Sequence, residues 1–286
     1  MRYFSAFTGV GGFDLGIPPD WECVGMSEID KYANMVLRYR FKDVKNYGNI
    51  EKINYEELPN FDILIGGSPC QDISVAGKRA GLTGLRSRLF FSYVALLKVK
   101  KPRYFIFENV KGLLSSNEGR DFAEVVNQFS EAGYDNIWWQ VLDATDVGIP
   151  QHRERVFVLG ALGGSGIRKV FLERKDEKKD IENRAIIRTL TGGAHSGGLH
   201  SHMTGIHVSG VTHGTGRQNG RRVNIRRLTP IECERLMGWL DNQTKYGIDD
   251  KGNAVELSDN QRYNLIGNGV VPQVVRAIIK HVMGTD

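Results

Sequence analysis

Four short stretches of this sequence carry side chains that could do covalent chemistry together. Gly66-Gly67-Ser68-Pro69-Cys70-Gln71 closes the apolar run Phe61–Gly66, so Cys70 stands in a turn stiffened by glycine and proline just beyond a strand. A thiol placed there suits nucleophilic attack, whereas an isolated cysteine is more commonly a buried structural thiol. Two neighbours weigh toward chemistry: Glu108-Asn109-Val110 ends the next apolar run, and Gln151-His152-Arg153-Glu154-Arg155 precedes another. Thiol, acid and paired arginines describe attack on an electron-poor ring whose developing charge needs managing. The fourth stretch is Phe7-Thr8-Gly9-Val10-Gly11-Gly12-Phe13, whose glycines let backbone approach a ligand and present N–H groups to it. It fits a nucleotide-type cofactor or merely a tight turn. Glu28 ends the second apolar run, where an acid can bind ribose hydroxyls. The loop lacks the Gly-x-Gly-x-x-Gly form, which points away from a nicotinamide dinucleotide.

These residues need a scaffold that brings loop ends together. Strands are expected at Arg2–Phe7, Cys23–Glu28, Phe61–Gly66, Tyr104–Glu108, Ile137–Leu142 and Val156–Gly160. Helical stretches lie between them. Over Asp121–Ala132 the residues Phe122, Val125, Val126 and Phe129 share one face and Gly133 is the stop; Leu89–Lys100 is a second helix, ended by Pro102. Strands alternating with helices predict an α/β fold with a mostly parallel sheet covered on both faces. Ligands in such sheets sit at the carboxyl ends of the strands, where the four stretches fall. Near the C-terminus, Arg227–Gly238 reads as a helix with Thr229 as N-cap and Pro230 in the first position, and Val270–Val282 as a final amphipathic helix.

Charge is unevenly spread. The chain carries +5, yet residues 161–227 hold thirteen Lys and Arg against five Asp and Glu, leaving the remainder at about −3. Residues 192–220 add nine glycines and five of the seven histidines, with little periodicity. The segment reads as loops on a small recognition lobe for a polyanion, or more blandly as a solvated basic face. Lacking cysteine or acidic partners nearby, His195, His200 and His202 read as polar loop residues, and no metal is expected. No run approaches ~18 apolar residues, which excludes a membrane span, and the N-terminus has no signal-like apolar run. Three distant cysteines give no disulfide framework, so an intracellular, cytoplasmic protein is expected.

From Phe4 to the C-terminus the chain resembles the DNA cytosine-5 methyltransferases of bacteria and phages. The loop Phe7–Gly12 resembles their cofactor motif, Pro69-Cys70 their catalytic Pro-Cys, and Glu108-Asn109-Val110 their Glu-Asn-Val. Gln151–Arg155 resembles the Gln-x-Arg-x-Arg motif, Arg226–Gly238 the hinge helix, and Gly267-Asn268-Gly269 the closing Gly-Asn motif. The resemblance implies a Rossmann-like catalytic domain over 1–162, a Gly-rich, basic target-recognition lobe with the hinge helix over 163–240, and a return segment over 241–286.

It further implies the roles. Cys70 would add to C6 of cytosine, protonated Glu108 would hydrogen-bond N3, Arg155 would bind O2, and Arg153 would hold the site near Cys70 and a flanking phosphate. Pro69 and Asn109 complete the catalytic set. S-adenosyl-L-methionine would be bound by Phe7, Gly9, Gly11, Gly12, Glu28, Ile29, Asn49, Ile50, Asn268 and Gly269. Double-stranded DNA would be contacted by Gln71, Ser74, Thr189, Leu190, Arg217, Arg221, Arg222, Arg226 and Arg227, with the target base flipped out. A monomer is expected, with a cognate restriction endonuclease as a functional partner. Three positions depart from the family pattern: Gly269 stands where serine is common, Asn49 where an aspartate contacts adenine, and Ile29 where an aromatic often stacks. A tRNA cytosine-5 methyltransferase stays an alternative, although the Cys-Phe-Thr signature of that branch is missing. An inactive DNA-binding accessory would be expected to lose Cys70 or Glu108, and a nicotinamide dehydrogenase would need a different loop.

Overall fold

The computed structural model describes residues 1–69, 87–163, 187–188, 206–207, 215–218 and 221–283. The first strands are β1 (Arg2–Ala6), β2 (Glu22–Ser27), β3 (Ile63–Gly66), β4 (Tyr104–Val110), β5 (Asn136–Asp143), β6 (Gln151–His152) and β7 (Glu154–Ala161). Six of these make one sheet in the order β2-β1-β3-β4-β7-β5. Pairs β1–β2, β1–β3 and β3–β4 are parallel, while β7 runs antiparallel to both β4 and β5. The mostly parallel α/β sheet expected from sequence is present. The first strand stops one residue short of the expectation because Phe7 turns into the left-handed region at φ +54°.

Alternation along the strands sorts the core into two layers. Tyr3, Ile63, Ile65, Ile106, Phe157 and Leu159 face one layer; Phe4, Leu64, Phe105, Phe107, Val156 and Val158 face the other. The second layer is filled by α2 (Ser87–Lys100) and α3 (Arg120–Glu131), where Phe90, Tyr93, Val125 and Phe129 meet Phe105 and Phe107. The first layer receives the chain's C-terminal helices.

Those helices are α4 (Pro230–Leu236), α5 (Asp259–Gly267) and α6 (Pro272–Met283); α1 (Lys31–Arg40) follows β2. Helix α4 starts as expected, with Thr229 and Glu232 forming a reciprocal capping box and Pro230 in the first turn. It sends Cys233 and Met237, with the flanking Leu228 and Trp239, into the same layer as Val274, Val275, Ile278 and Ile279 of α6. Glu234, with no exposed surface, anchors the return segment by accepting from the amides of Asn242 at 2.7 Å and Thr244 at 2.8 Å and pairing with Arg262 at 3.1 Å. A buried ion pair survives desolvation only when its remaining lone pairs are used in this way.

In the basic segment the described residues form β8 (Ile187–Arg188), β9 (Ile206–His207), β10 (Thr215–Gln218) and β11 (Arg221–Arg226). β8 pairs with β6, and β10-β11-β9 make a small antiparallel sheet. β9 and β10 fall in sequence read as loops, because strands of two and four residues are too short for alternation to register. A hairpin of β12 (Tyr246–Ile248) and β13 (Ala254–Glu256) lies against α1. Among the described residues no helix is long and apolar enough to cross a membrane, and no group of three metal-ligating side chains occurs.

Candidate active site

Strand direction explains which residues meet. The chain leaves β1 to pair on both sides, with β2 and with β3, so a crevice opens at the carboxyl ends of these strands. The loop after β1, Glu28 after β2, Gly67-Ser68-Pro69 after β3 and Glu108-Asn109 at the end of β4 all reach that rim. Because β7 is antiparallel, it is its beginning that lies there, which brings Glu154-Arg155 to the same edge.

Glu108 pairs across β4–β7 with Phe157, and Arg155 with Val110, so Glu108 and Arg155 are diagonal neighbours on one face. Arg155 Nε lies 3.0 Å from Glu108 Oε1, with the two side chains only 17% and 13% exposed. Burial raises the Glu108 pKa above the usual carboxylate range, although Arg155 and Arg153 pull it down. A side chain on Gly67 would come within 2.6 Å of Glu108 Oε2, so glycine there lets the turn lie against the acid. Asn109, buried, donates through Nδ2 to the Ser68 carbonyl at 3.3 Å and ties the same turn to β4. Pro69 is exposed at the rim.

Arg153 is buried. Its backbone amide donates to Asp143 Oδ1 at 3.0 Å, and its Nη2 donates to the carbonyls of Gly267 and Gly269 at 3.0 and 2.6 Å. Burial and Arg155 push its pKa well below the ordinary value, opposed by Glu108. The side chain expected near a phosphate is thus engaged with the closing segment. His152 pairs with Asp143 at 2.9 Å; burial would raise that carboxyl, but His152 and the amides of Thr145 and Arg153 hold it below its usual range.

At the other end of the crevice, Glu28 accepts from the amides of Gly9 at 2.7 Å, Ile29 at 2.8 Å and Asp30 at 2.7 Å. Burial raises its pKa against those hydrogen bonds. Gly9 and Gly48 have positive φ, and none of the described residues lies within 4 Å of where a side chain would begin. Ile29 stands 65% exposed beside Glu28. A part-buried carboxylate beside glycine backbone and an exposed apolar side chain fits a nucleoside-bearing methyl donor. Asn49 caps a 3-10 turn through the amide of Glu51 at 2.9 Å, and Ile50 is buried. Gly12 meets the closing segment at Val270, Gly11 lies against the Phe41 ring, and Asn268 is exposed.

Cys70, Gln71, Ser74, Thr189 and Leu190 lie outside the described residues, as do His195, His200 and His202. Of Arg217, Arg221, Arg222 and Arg226 the backbone strand positions are described, and Arg227 is exposed. The two other cysteines are poor nucleophiles: burial pushes both Cys23 and Cys233 up to about 12, helped by nearby acids.

Three side chains make contacts that the sequence did not show. Asn46 Oδ1 accepts from the amides of Glu28 at 3.1 Å and Gly48 at 2.9 Å and so joins the two sides of this crevice. Gln151 Nε2 donates to the Leu236 carbonyl at 2.8 Å, fastening α4 to the rim. Trp239 packs between Gly12 and Gly269. Trp239 had a local signal, as an aromatic directly after the helix stop Gly238, and Gln151 opens the stretch Gln151–Arg155 already singled out; Asn46 had none.

The family model for C-5 cytosine-specific DNA methylase matches residues 1–204 and 193–284. The orphan methyltransferase M.Rho11sI of Bacillus phage rho11s is 43% identical over 165 residues, which is 56% of this chain and 33% of that protein. The chain spans about a third of that phage relative. The Type II methyltransferase M.NlaX of Neisseria lactamica is 31% identical over 316 residues, covering 99% of this chain and 96% of the relative. Among solved structures, the Entamoeba histolytica methyltransferase EhMeth shares the fold with a TM-score of 0.71 at 19% identity, over 99% of this chain and 98% of that one. With the family model matched across both ends of the crevice, the chain belongs to the C-5 cytosine-specific DNA methylase family.

Proposed function

We propose that the chain is a DNA (cytosine-5)-methyltransferase that modifies a flipped-out cytosine in a short duplex sequence. The observation that carries this reading is the buried Glu108, paired with Arg155 at 3.0 Å and lying against the turn Gly67-Ser68-Pro69 that leads into Cys70. Cytosine C5 is a weak nucleophile, so the ring must first gain electron density. Cys70, as thiolate, would form a bond to C6. Glu108, protonated, would donate to N3 and hold the resulting enamine neutral, and its raised pKa favours that form. Arg155 would bind O2. S-adenosyl-L-methionine, when bound, supplies the methyl group for C5. Glu28 would hold its ribose, Ile29 would cover its adenine, and the loop Phe7–Gly12 would line its methionine end. Loss of the C5 proton and breaking of the Cys70–C6 bond would return the thiolate.

The segment 163–240 would supply the DNA contacts that choose the sequence. Its arginines would neutralise phosphates, which fix register without reading bases. Bisulfite sequencing of plasmid DNA from cells expressing the chain tests the reading. Protected cytosines confined to one short sequence are expected. Plasmid with no protected cytosine, from cells in which the chain is soluble and folded, would contradict it.

A further inference from the structure

Trp239 joins two segments that are remote in sequence. Its ring is buried, its Nε1 donates to the Val270 carbonyl at 2.9 Å, and its Cζ2 lies 3.5 Å from where a side chain on Gly12 would begin. At Gly269 the fit is closer: an added Cβ would fall 2.2 Å from Cζ2 and 2.4 Å from Cη2. Carbon atoms pack at ~3.5–4.0 Å, so no side chain at 269 can coexist with the indole in this position. The backbone on the far side cannot yield freely, because Arg153 Nη2 holds the carbonyls of Gly267 and Gly269. Gly12 is confined in the same way, by Val270 O at 2.9 Å and N at 3.0 Å from its own would-be Cβ.

We propose that Trp239 is a positioning residue for the methyl-donor pocket: its indole sets the separation between the loop Phe7–Phe13 and the segment Gly267–Val270. Gly269 is the residue this indole requires. The inference rests on reading those two segments as the donor pocket. The simpler alternative is that Trp239 only fills the core, in which case it sets stability and leaves ligand affinity alone.

The test compares Gly269→Ser, Trp239→Phe and the double variant with the wild-type full chain. Each is unfolded thermally without ligand and titrated calorimetrically with S-adenosyl-L-methionine well below the unfolding range. Gly269→Ser should lower the unfolding temperature and weaken binding by about tenfold, and the smaller ring of Trp239→Phe should recover part of both losses. Strict additivity of the two substitutions would overturn the proposal. So would coupling in unfolding temperature with equal affinities throughout, the mark of packing alone. If Gly269→Ser does not fold, the double variant decides: folding in the Trp239→Phe background supports the wedge and continued failure overturns it. A folded wild-type chain that does not bind the donor would contradict the pocket reading itself, and the ligand-free unfolding series separates that failure from a failure of the Trp239–Gly269 coupling.

Discussion

The Nη2 atom of Arg153 lies 2.6 Å from the carbonyl oxygen of Gly269, a contact across 116 residues of chain that fixes the C-terminal segment to the start of β7. The guanidinium reaches it because β7 is antiparallel and therefore begins at the rim where β1–β4 end. The charge of the same arginine also pulls the Glu108 pKa down, so one side chain ties the closing segment and acts on the acid's ionisation.

Replacing Arg153 by methionine keeps the volume and removes the donors. One buried and one part-buried carbonyl would lose a charged partner, and a loss of roughly 2–5 kcal/mol in denaturant unfolding is expected. Arg153→Lys should recover only part, because one ammonium does not reproduce the planar guanidinium. A change below about 0.5 kcal/mol for Arg153→Met would mean that water serves these carbonyls equally well.

Glu108 is useful to the proposed reaction only while protonated. Its pKa is raised, so turnover should be sustained above the ordinary carboxylate range and decline as pH rises through the raised value. Glu108→Gln should slow methylation by about two to four orders of magnitude and abolish that decline, with DNA binding nearly unchanged. Wild-type turnover in the Gln variant, measured with labelled donor, would assign the activation of the base elsewhere.

Asp14 lies buried behind the loop Phe7–Phe13, accepting from Ser5 Oγ at 3.1 Å, with Oδ1 lacking a partner among the described residues. Burial pushes its carboxyl from 3.8 to about 6. The folded chain thus holds a proton that the unfolded chain releases, and stability should fall as pH rises from about 4 to about 6. The penalty is absent below that window and reaches up to about 3 kcal/mol above it. Asp14→Asn should flatten this part of the stability profile. Parallel profiles for the two proteins from pH 4 to 7 would show that Asp14 is ionised without penalty.

Much of this was readable along the chain because each signal was local. The strands, α3 with its glycine stop, and the Thr229–Glu232 cap are written within a few residues of themselves, and so are the turn before Cys70 and Glu108-Asn109-Val110. What was not readable depends on residues far apart. Nothing near Arg153 says that its guanidinium meets Gly267 and Gly269, and nothing near Gly269 names Trp239 as the occupant of its missing side chain. Asn46 looks like any loop asparagine until β2 and the segment before Gly48 are side by side. The short strands β9 and β10 escaped because glycine and brevity erase alternation.

Cys70 is the proposed nucleophile. Duplex DNA carrying 5-fluorocytosine at the methylated position, incubated with the chain and S-adenosyl-L-methionine, measures this directly, since fluorine cannot leave as the proton does and the adduct stalls. The wild-type chain should give a complex that survives denaturing electrophoresis, and Cys70→Ala should give none. A denaturation-resistant complex with Cys70→Ala, or its absence from a wild-type chain that methylates the unfluorinated duplex, would contradict the account.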